Sequence, residues 1–257
     1  MDHPTHFAEN GPARISYGVS GRGPAICLLP STGRGAEDFA HLAAALLGHG
    51  YSVILPQPRG IGGSTGPLAG LTLHDLAADA AAVLRTATGG AETERVIVGG
   101  HAYGNWIART LAADHPELVR GVALIAAGAG PRIGGLTQAL DTLGDPGAGP
   151  EAKRAALEFA FFAPGHDVTG WLTGWHGEVI AAQRAANQAT ERSRWWGAGQ
   201  APLLDLMAAK DPFRQPVSRD LFEREFGARV TTRLIEDASH ALPDEQPEQV
   251  AAAIATW

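Results

Sequence analysis

A chain of 257 residues, of which 45% are hydrophobic and 18% charged, has the size and composition of one globular domain with a sizeable core. The net charge of -7 argues against a nucleic-acid partner, because such a partner requires a basic face. A single cysteine excludes an internal disulfide and fits a reducing compartment. The polar residues 1–12 do not resemble a signal peptide, and no segment approaches the roughly 20 apolar residues that span a bilayer. We therefore expect a cytoplasmic protein with no membrane partner.

The first half of the chain alternates between strand and helix patterns. Apolar or alternating runs predict strands at Ala13–Ser20, Ala25–Leu29, Tyr51–Leu55, Val96–Val98 and Val122–Ile125, and helical spacing predicts helices at Phe39–Leu47, Leu73–Leu84 and Asn105–Ala113. Gly21–Pro24 looks like a hairpin turn, and Thr72 is placed to cap the second helix. Cys27 lies within a strand, where a packed core thiol is expected. This rhythm predicts βαβ units and a mostly parallel sheet.

The second half begins with a change in composition. From about residue 128 to residue 200 the strand and helix rhythm is lost, and the segment contains glycine and proline clusters, a helical stretch at 152–162 and many aromatic residues. Strand patterns return at Leu203–Met207 and Val230–Ile235, and Pro243–Trp257 is predicted to be a closing helix. The sequence therefore predicts an insertion within an α/β fold.

The segment Val96–Asn105 carries the strongest chemical signal. Its apolar strand runs into a glycine-rich corner and then into a helix, which is the layout of a nucleophile elbow. Gly100 and Gly104 occupy the two positions where small residues let the strand approach the helix. The tip, where a nucleophilic serine is expected, is Ala102. The elbow pattern is present without a nucleophilic side chain.

Together with four further segments, this elbow resembles the α/β-hydrolase superfamily over nearly the whole chain. The segments are Pro30–Gly35, Gln57–Ser64, the Asp-Pro loop at Asp211 and Asp237–His240. Two of them depart from the family pattern, since Pro30 and Ser31 stand where His-Gly is usual and Gln57 replaces an acidic residue. The resemblance implies an α/β-hydrolase fold whose core is 1–127 and 201–257, with a helical cap at 128–200.

The resemblance also implies roles for individual residues. Asp211 matches the catalytic acid and His240 the catalytic histidine, while the backbone N–H groups of Tyr103 and Thr32 would form the oxyanion hole. Residues expected to contact substrate are Ser31, Phe161, Trp171 and Trp175. The aromatic content of the cap suggests a largely apolar pocket for a small ester or lactone. His101, beside the elbow tip, is expected to be a core histidine. The other histidines show no ligand grouping, so we expect neither a metal nor a cofactor.

Ala102 leaves the reaction open. It is either a laboratory substitution of serine or a natural alanine, and a natural alanine would leave His240, oriented by Asp211, as a general base that acts without a covalent intermediate. Three classes follow: a hydrolase, a lyase or cofactor-free oxygenase, and a small-ligand binder. Retention of both Asp211 and His240 weighs against the binder. The expected assembly is a monomer or a homodimer.

Overall fold

The structure is a computed structural model that describes residues 6–89, 95–131 and 133–257, so the start of the polar segment 1–12 lies outside the described residues. Within these ranges one mixed sheet has the strand order β1-β2-β4-β3-β5-β6-β7-β8. The strands are β1 (His6–Asn10), β2 (Ala13–Gly21), β3 (Ala25–Leu29), β4 (Ser52–Pro56), β5 (Val96–His101), β6 (Val119–Ile125), β7 (Leu203–Ala208) and β8 (Val230–Ile235). Every neighbouring pair from β4 through β3, β5, β6 and β7 to β8 is parallel. The strand β2 pairs antiparallel with both β1 and β4. The predicted α/β class is confirmed.

Helices cover both faces of this sheet. They are α1 (Ala40–Gly48), α2 (Leu73–Ala87), α3 (Gly104–Asp114), α4 (Leu136–Gly144), α5 (Pro150–Ala160), α6 (Gly177–Ala189), α7 (Leu221–Phe226), α8 (Leu242–Glu245) and α9 (Pro247–Ala255). The strand β3 shows why both faces need cover. Its Ile26 and Leu28 pack in the core that contains α1 and α9, whereas Cys27 and Leu29 pack with α2 and α3. Burial raises the pKa of the Cys27 thiol, as expected of a core cysteine.

The hairpin predicted at Gly21–Pro24 is wrong. The strand β2 pairs with β1 and β4 and not with β3, and the tight connection lies instead between Asn10 and Ala13. The strand β1 has no strand signal in the sequence because only Ala8 of its five residues is buried. An edge strand with one inward side chain lacks the apolar alternation that identifies strands.

The connection from β6 to β7 contains α4, α5 and α6, and we call residues 126–202 the inserted segment. Its own apolar cluster includes Leu136, Leu157 and Phe161. The helix predicted at 152–162 is present as α5, two residues earlier than expected.

The predicted closing helix is divided into α8 and α9. The residue between them is Gln246, with φ −136° and ψ 54°, because the residue before a proline is disfavoured in helical conformation. Pro247 then starts the last helix, where a missing N–H costs little. In the ranges that the structure describes, every helix is too short or too polar to cross a membrane.

Candidate active site

The sharp turn between β5 and α3 places Ala102 at its tip. Ala102 has φ +47°, a left-handed conformation that side chains other than glycine rarely adopt. The flanking glycines are required sterically: a Cβ at Gly100 would lie 2.4 Å from the Asn105 nitrogen, and a Cβ at Gly104 would lie 2.1 Å from the Leu29 carbonyl oxygen. The strand and the helix approach this closely only because neither position carries a side chain.

Asp211 and His240 come from loops that follow β7 and β8, which are neighbouring strands. The Nδ1 atom of His240 lies 3.0 and 3.1 Å from the two carboxylate oxygens of Asp211, and both side chains are buried. The backbone N–H of Phe213 donates to Asp211 Oδ1 at 2.8 Å, which fixes the carboxylate. A neutral imidazole that donates from Nδ1 keeps its lone pair on Nε2. This pair has the arrangement of a general base and its orienting acid.

Aromatic rings fix the plane of the His240 imidazole. The Phe213 ring lies 4.0 Å from it, centroid to centroid, at an interplanar angle of 30°. The Phe161 ring approaches at 5.5 Å with its plane turned by 63°. Because the Phe213 ring is tilted against the imidazole and the Phe161 ring meets it edge to face, rotation of His240 would displace packed side chains.

A cavity of about 210 Å³ joins the elbow, the dyad and the inserted segment. It is lined by Ser31, Thr32, Ala102, Tyr103, Asn105, Trp106, Gly128, Leu136, Thr137, Leu140, Phe161, Arg184, Asn187, Gln188, Phe213 and His240. The set unites the candidate base, the elbow tip and both candidate oxyanion donors. Asp211 lies behind His240, where it contacts Nδ1.

The backbone N–H groups of two residues that line this cavity are candidates to bind a ligand. Within the described residues, the N–H groups of Thr32 and Tyr103 donate to no protein acceptor. The loop and the elbow are also tied to α6: Gly33 N–H donates to the Gln183 side-chain oxygen at 2.8 Å, and the Tyr103 hydroxyl donates to the Gln183 carbonyl at 2.7 Å. One residue of α6 therefore holds the two donor-bearing segments in place.

Trp171 and Trp175, expected to contact substrate, lie outside the lining of this cavity. The guanidinium carbon of Arg34 lies 4.6 and 4.7 Å from their ring centroids, and Arg34 is itself buried against Asp38. A buried cation is stabilised by aromatic faces. These tryptophans pack around Arg34 and behind Phe161, so of the four expected substrate contacts the structure places Ser31 and Phe161 at the cavity.

Sequence reasoning missed the polar residues that α6 contributes. Asn187 and Gln188 lie three and four positions after Arg184, so both are neighbours of Arg184 on one helix face. A polar face of this kind is normally solvated. The signal that would have singled it out is the inserted position of its helix, above the carboxyl ends of the strands.

His101 is fully buried beneath the dyad, in agreement with its expected place in the core. Its Nε2 lies 2.7 Å from the His240 carbonyl oxygen, to which a neutral ring can donate. Burial, with a smaller contribution from the nearby charge of His240, lowers the pKa of His101 to about 3. The ring is therefore neutral throughout the physiological range. It supports the loop that carries His240.

The buried neutral state of His101 predicts a pH dependence of stability. An unfolded histidine has a pKa of about 6.5, whereas the pKa of His101 in the folded chain is about 3. Between pH 6.5 and about pH 3, therefore, the unfolded chain binds a proton at this residue and the folded chain does not. This contribution to stability is complete above pH 6.5 and falls with decreasing pH, by up to about 1.4 kcal/mol per unit. We expect His101→Gln to flatten the curve of unfolding free energy against pH below 6.5, measured by urea denaturation. Parallel curves for the two proteins would contradict this.

Within the described parts of the chain, no group of three or more His, Cys, Asp or Glu side chains could hold a metal ion. His41, His74, His115 and His166 instead pair with single carboxylates near the surface.

Comparison with known proteins places this geometry in a family. Residues 28–253 match the model of the alpha/beta hydrolase family. A pyrrolizixenacetamide deacetylase of Xenorhabdus hominickii is 31% identical over 121 residues, covering 46% of this chain and 42% of that protein. A fluoroacetate dehalogenase of a Burkholderia species is 31% identical over 124 residues, covering 46% and 39%.

The matched region thus spans about two fifths of the length of these two relatives. A solved thermophilic esterase from Thermogutta terrifontis superposes over 100% of this chain and 98% of its own with a TM-score of 0.80, at 19% sequence identity. The mostly parallel sheet, the elbow turn between β5 and α3 and the family match agree with one another. The chain belongs to the α/β-hydrolase family and has its fold.

Proposed function

We propose that the protein hydrolyses a small ester or lactone, with His240 as a general base that activates water directly. The observation that carries the proposal is that His240, whose imidazole is held by Asp211, lines the same cavity as Ala102. A methyl group cannot attack a carbonyl. In the proposed mechanism the attacking atom is therefore the oxygen of a solvent water.

In the proposed reaction, Nε2 of His240 removes a proton from water while the water oxygen bonds to the carbonyl carbon. The carbonyl oxygen becomes an oxyanion that accepts hydrogen bonds from the Thr32 and Tyr103 N–H groups. When this intermediate collapses, the bond to the alkoxy group breaks and the leaving oxygen takes the proton from His240. A general base typically accelerates a reaction by roughly 10²–10⁴-fold, and an oxyanion hole by roughly another 10²–10³-fold. An activated ester or a strained lactone is therefore the expected substrate.

The dimensions of the cavity support a small substrate. Its volume of about 210 Å³ lies below the roughly 300–1,000 Å³ of pockets for drug-sized ligands. Leu136, Leu140, Phe161 and Phe213 supply apolar surface. We assign the inserted segment the role of a cap, since its helices α4 and α6 contribute lining residues above the elbow. The names deacetylase and esterase of two similar proteins support acyl transfer to water.

The test is turnover of phenyl acetate, 4-nitrophenyl acetate and small lactones by the unmodified chain, with intact-protein mass spectrometry during the reaction. We expect hydrolysis of at least one activated substrate and no covalent adduct on the protein. An acetyl adduct on Ser31, which also lines the cavity, would contradict direct water attack.

Two further measurements on the same compounds separate the other two classes. Exchange of a substrate proton for deuterium in D₂O without hydrolysis would indicate that His240 removes a proton from the substrate itself, as a lyase would. Saturable binding of these compounds with neither hydrolysis nor exchange would indicate a binding protein. Either result would overturn the proposed hydrolase.

A further inference from the structure

The cavity lining carries one permanent charge among the residues that the structure describes, and it is the cation Arg184. No aspartate or glutamate accompanies it in the lining, although the whole chain has a net charge of -7. From this we infer that the substrate carries a carboxylate, which Arg184 binds from α6 at a distance from the reacting carbonyl. The inference rests on the proposed function for the reaction and adds the substrate class.

Neighbouring residues on α6 strengthen the site for an anion. Asn187 and Gln188 lie three and four residues after Arg184 and line the same cavity, and each has an amide NH₂ group that donates hydrogen bonds. Thr137 on α4 adds a hydroxyl. A guanidinium with nearby neutral donors is the usual composition of a carboxylate site.

The guanidinium of Arg184 is only partly paired. Its Nη1 atom lies 2.5 Å from Asp141 on α4, whose side chain is 54% exposed. Its Nη2 atom is buried and has no hydrogen-bond partner within the described residues. An exposed ion pair is weak because water competes for both partners, and a desolvated N–H without an acceptor is unfavourable. A carboxylate bound in the cavity would replace the weak pair with Asp141 and would give the Nη2 group a hydrogen-bond acceptor.

The position of Arg184 relative to the catalytic groups is fixed by the residue before it. Gln183 accepts hydrogen bonds from Gly33 N–H and from the Tyr103 hydroxyl, so α6 is anchored to the segments that carry both candidate oxyanion donors. The point at which the Arg184 side chain leaves α6 is therefore held above the elbow. The guanidinium selects for substrates whose carboxylate lies a set distance from the ester carbonyl.

The experiment compares two esters of equal chain length, mono-4-nitrophenyl glutarate and 4-nitrophenyl pentanoate, which differ in the terminal carboxylate. We expect Arg184→Gln to lower kcat/KM for the glutarate ester by about 10- to 100-fold, the range for one hydrogen bond to a charged group. The pentanoate should change by less than about twofold, and Arg184→Lys should recover part of the loss. Arg85→Gln is the matched control, since Arg85 pairs with Glu117 on the surface away from the cavity.

Binding of glutarate, measured by isothermal titration calorimetry, separates this inference from the proposed hydrolysis. Weaker binding to Arg184→Gln than to the unmodified chain and to Arg85→Gln supports the carboxylate site even if no ester is turned over. Asp141→Asn should tighten binding, because it removes the competing anion. Equal losses for both esters in Arg184→Gln, or glutarate binding that is absent or independent of Arg184, would overturn the inference and leave hydrolysis of neutral esters unaffected.

Discussion

Replacing Ala102 with serine is expected to raise kcat/KM for 4-nitrophenyl acetate by about 10²-fold or more. The new hydroxyl would stand at the tip of the elbow, in the cavity that His240 and the two free N–H groups share. The backbone already has the left-handed conformation that this position requires, at φ +47°. A serine there would complete the base, acid and oxyanion set of an acyl-enzyme mechanism. Stopped-flow kinetics should show a burst, and intact-protein mass spectrometry should show one acetyl adduct at position 102.

Two variants control this result. Ala102→Gly also lacks a nucleophile and should hydrolyse the ester no faster than the unmodified chain. The double variant Ala102→Ser with His240→Gln should lose the burst, because no base remains to remove the hydroxyl proton. A serine variant that is folded but shows neither gain nor adduct would mean that the tip is not aligned with His240.

Asp211→Asn should lower turnover by about 10⁴-fold in the Ala102→Ser background, the loss for the equivalent change in a serine protease. The carboxylate accepts the Nδ1 proton of His240 at 3.0 Å and so leaves the lone pair on Nε2. An asparagine amide can donate to Nδ1 instead, which would move the imidazole proton to Nε2 and remove the base. Its carbonyl oxygen can still accept from Phe213 N–H, so the loop should keep its shape. Steady-state kinetics and circular dichroism measure both effects.

The matched control is Asp237→Asn. Asp237 lies on the loop that leads to His240, but its side chain is 64% exposed and pairs with Lys210. Removing this charge should change turnover by less than about twofold, since exposed ion pairs contribute little. Equal losses in the two variants would show that net charge, and not the tautomer of His240, explains the effect.

The elements predicted most closely from the sequence are those with a strong local signal. The predicted strands Ala25–Leu29 and Val230–Ile235 coincide with β3 and β8, and the capping box formed by Thr72 and Asp75 starts α2 as expected. Each of these signals is local. The strand β3 is a continuous apolar run buried on both faces, β8 is a short segment rich in β-branched residues, and α2 starts at a side chain that bonds to the backbone three residues away.

The features that sequence reasoning missed depend on contacts between distant segments. The cation of Arg34 is enclosed by Trp171 and Trp175, residues more than a hundred positions away, so the aromatic content of the inserted segment did not show which rings line the cavity. Arg184 resembles any solvated residue of an amphipathic helix until the fold places α6 above the elbow. Burial of a polar side chain against a remote segment leaves no periodic trace in the sequence.

The most direct measurement is kcat/KM of the unmodified chain and of His240→Gln for the best activated ester, with circular dichroism spectra that show both proteins folded. If His240 is the base, the variant loses about 10²–10⁴-fold, and the remaining rate does not depend on whether residue 211 is aspartate or asparagine. If the folded variant hydrolyses the ester as fast as the unmodified chain, the imidazole does not take part in the reaction and the proposed mechanism is wrong.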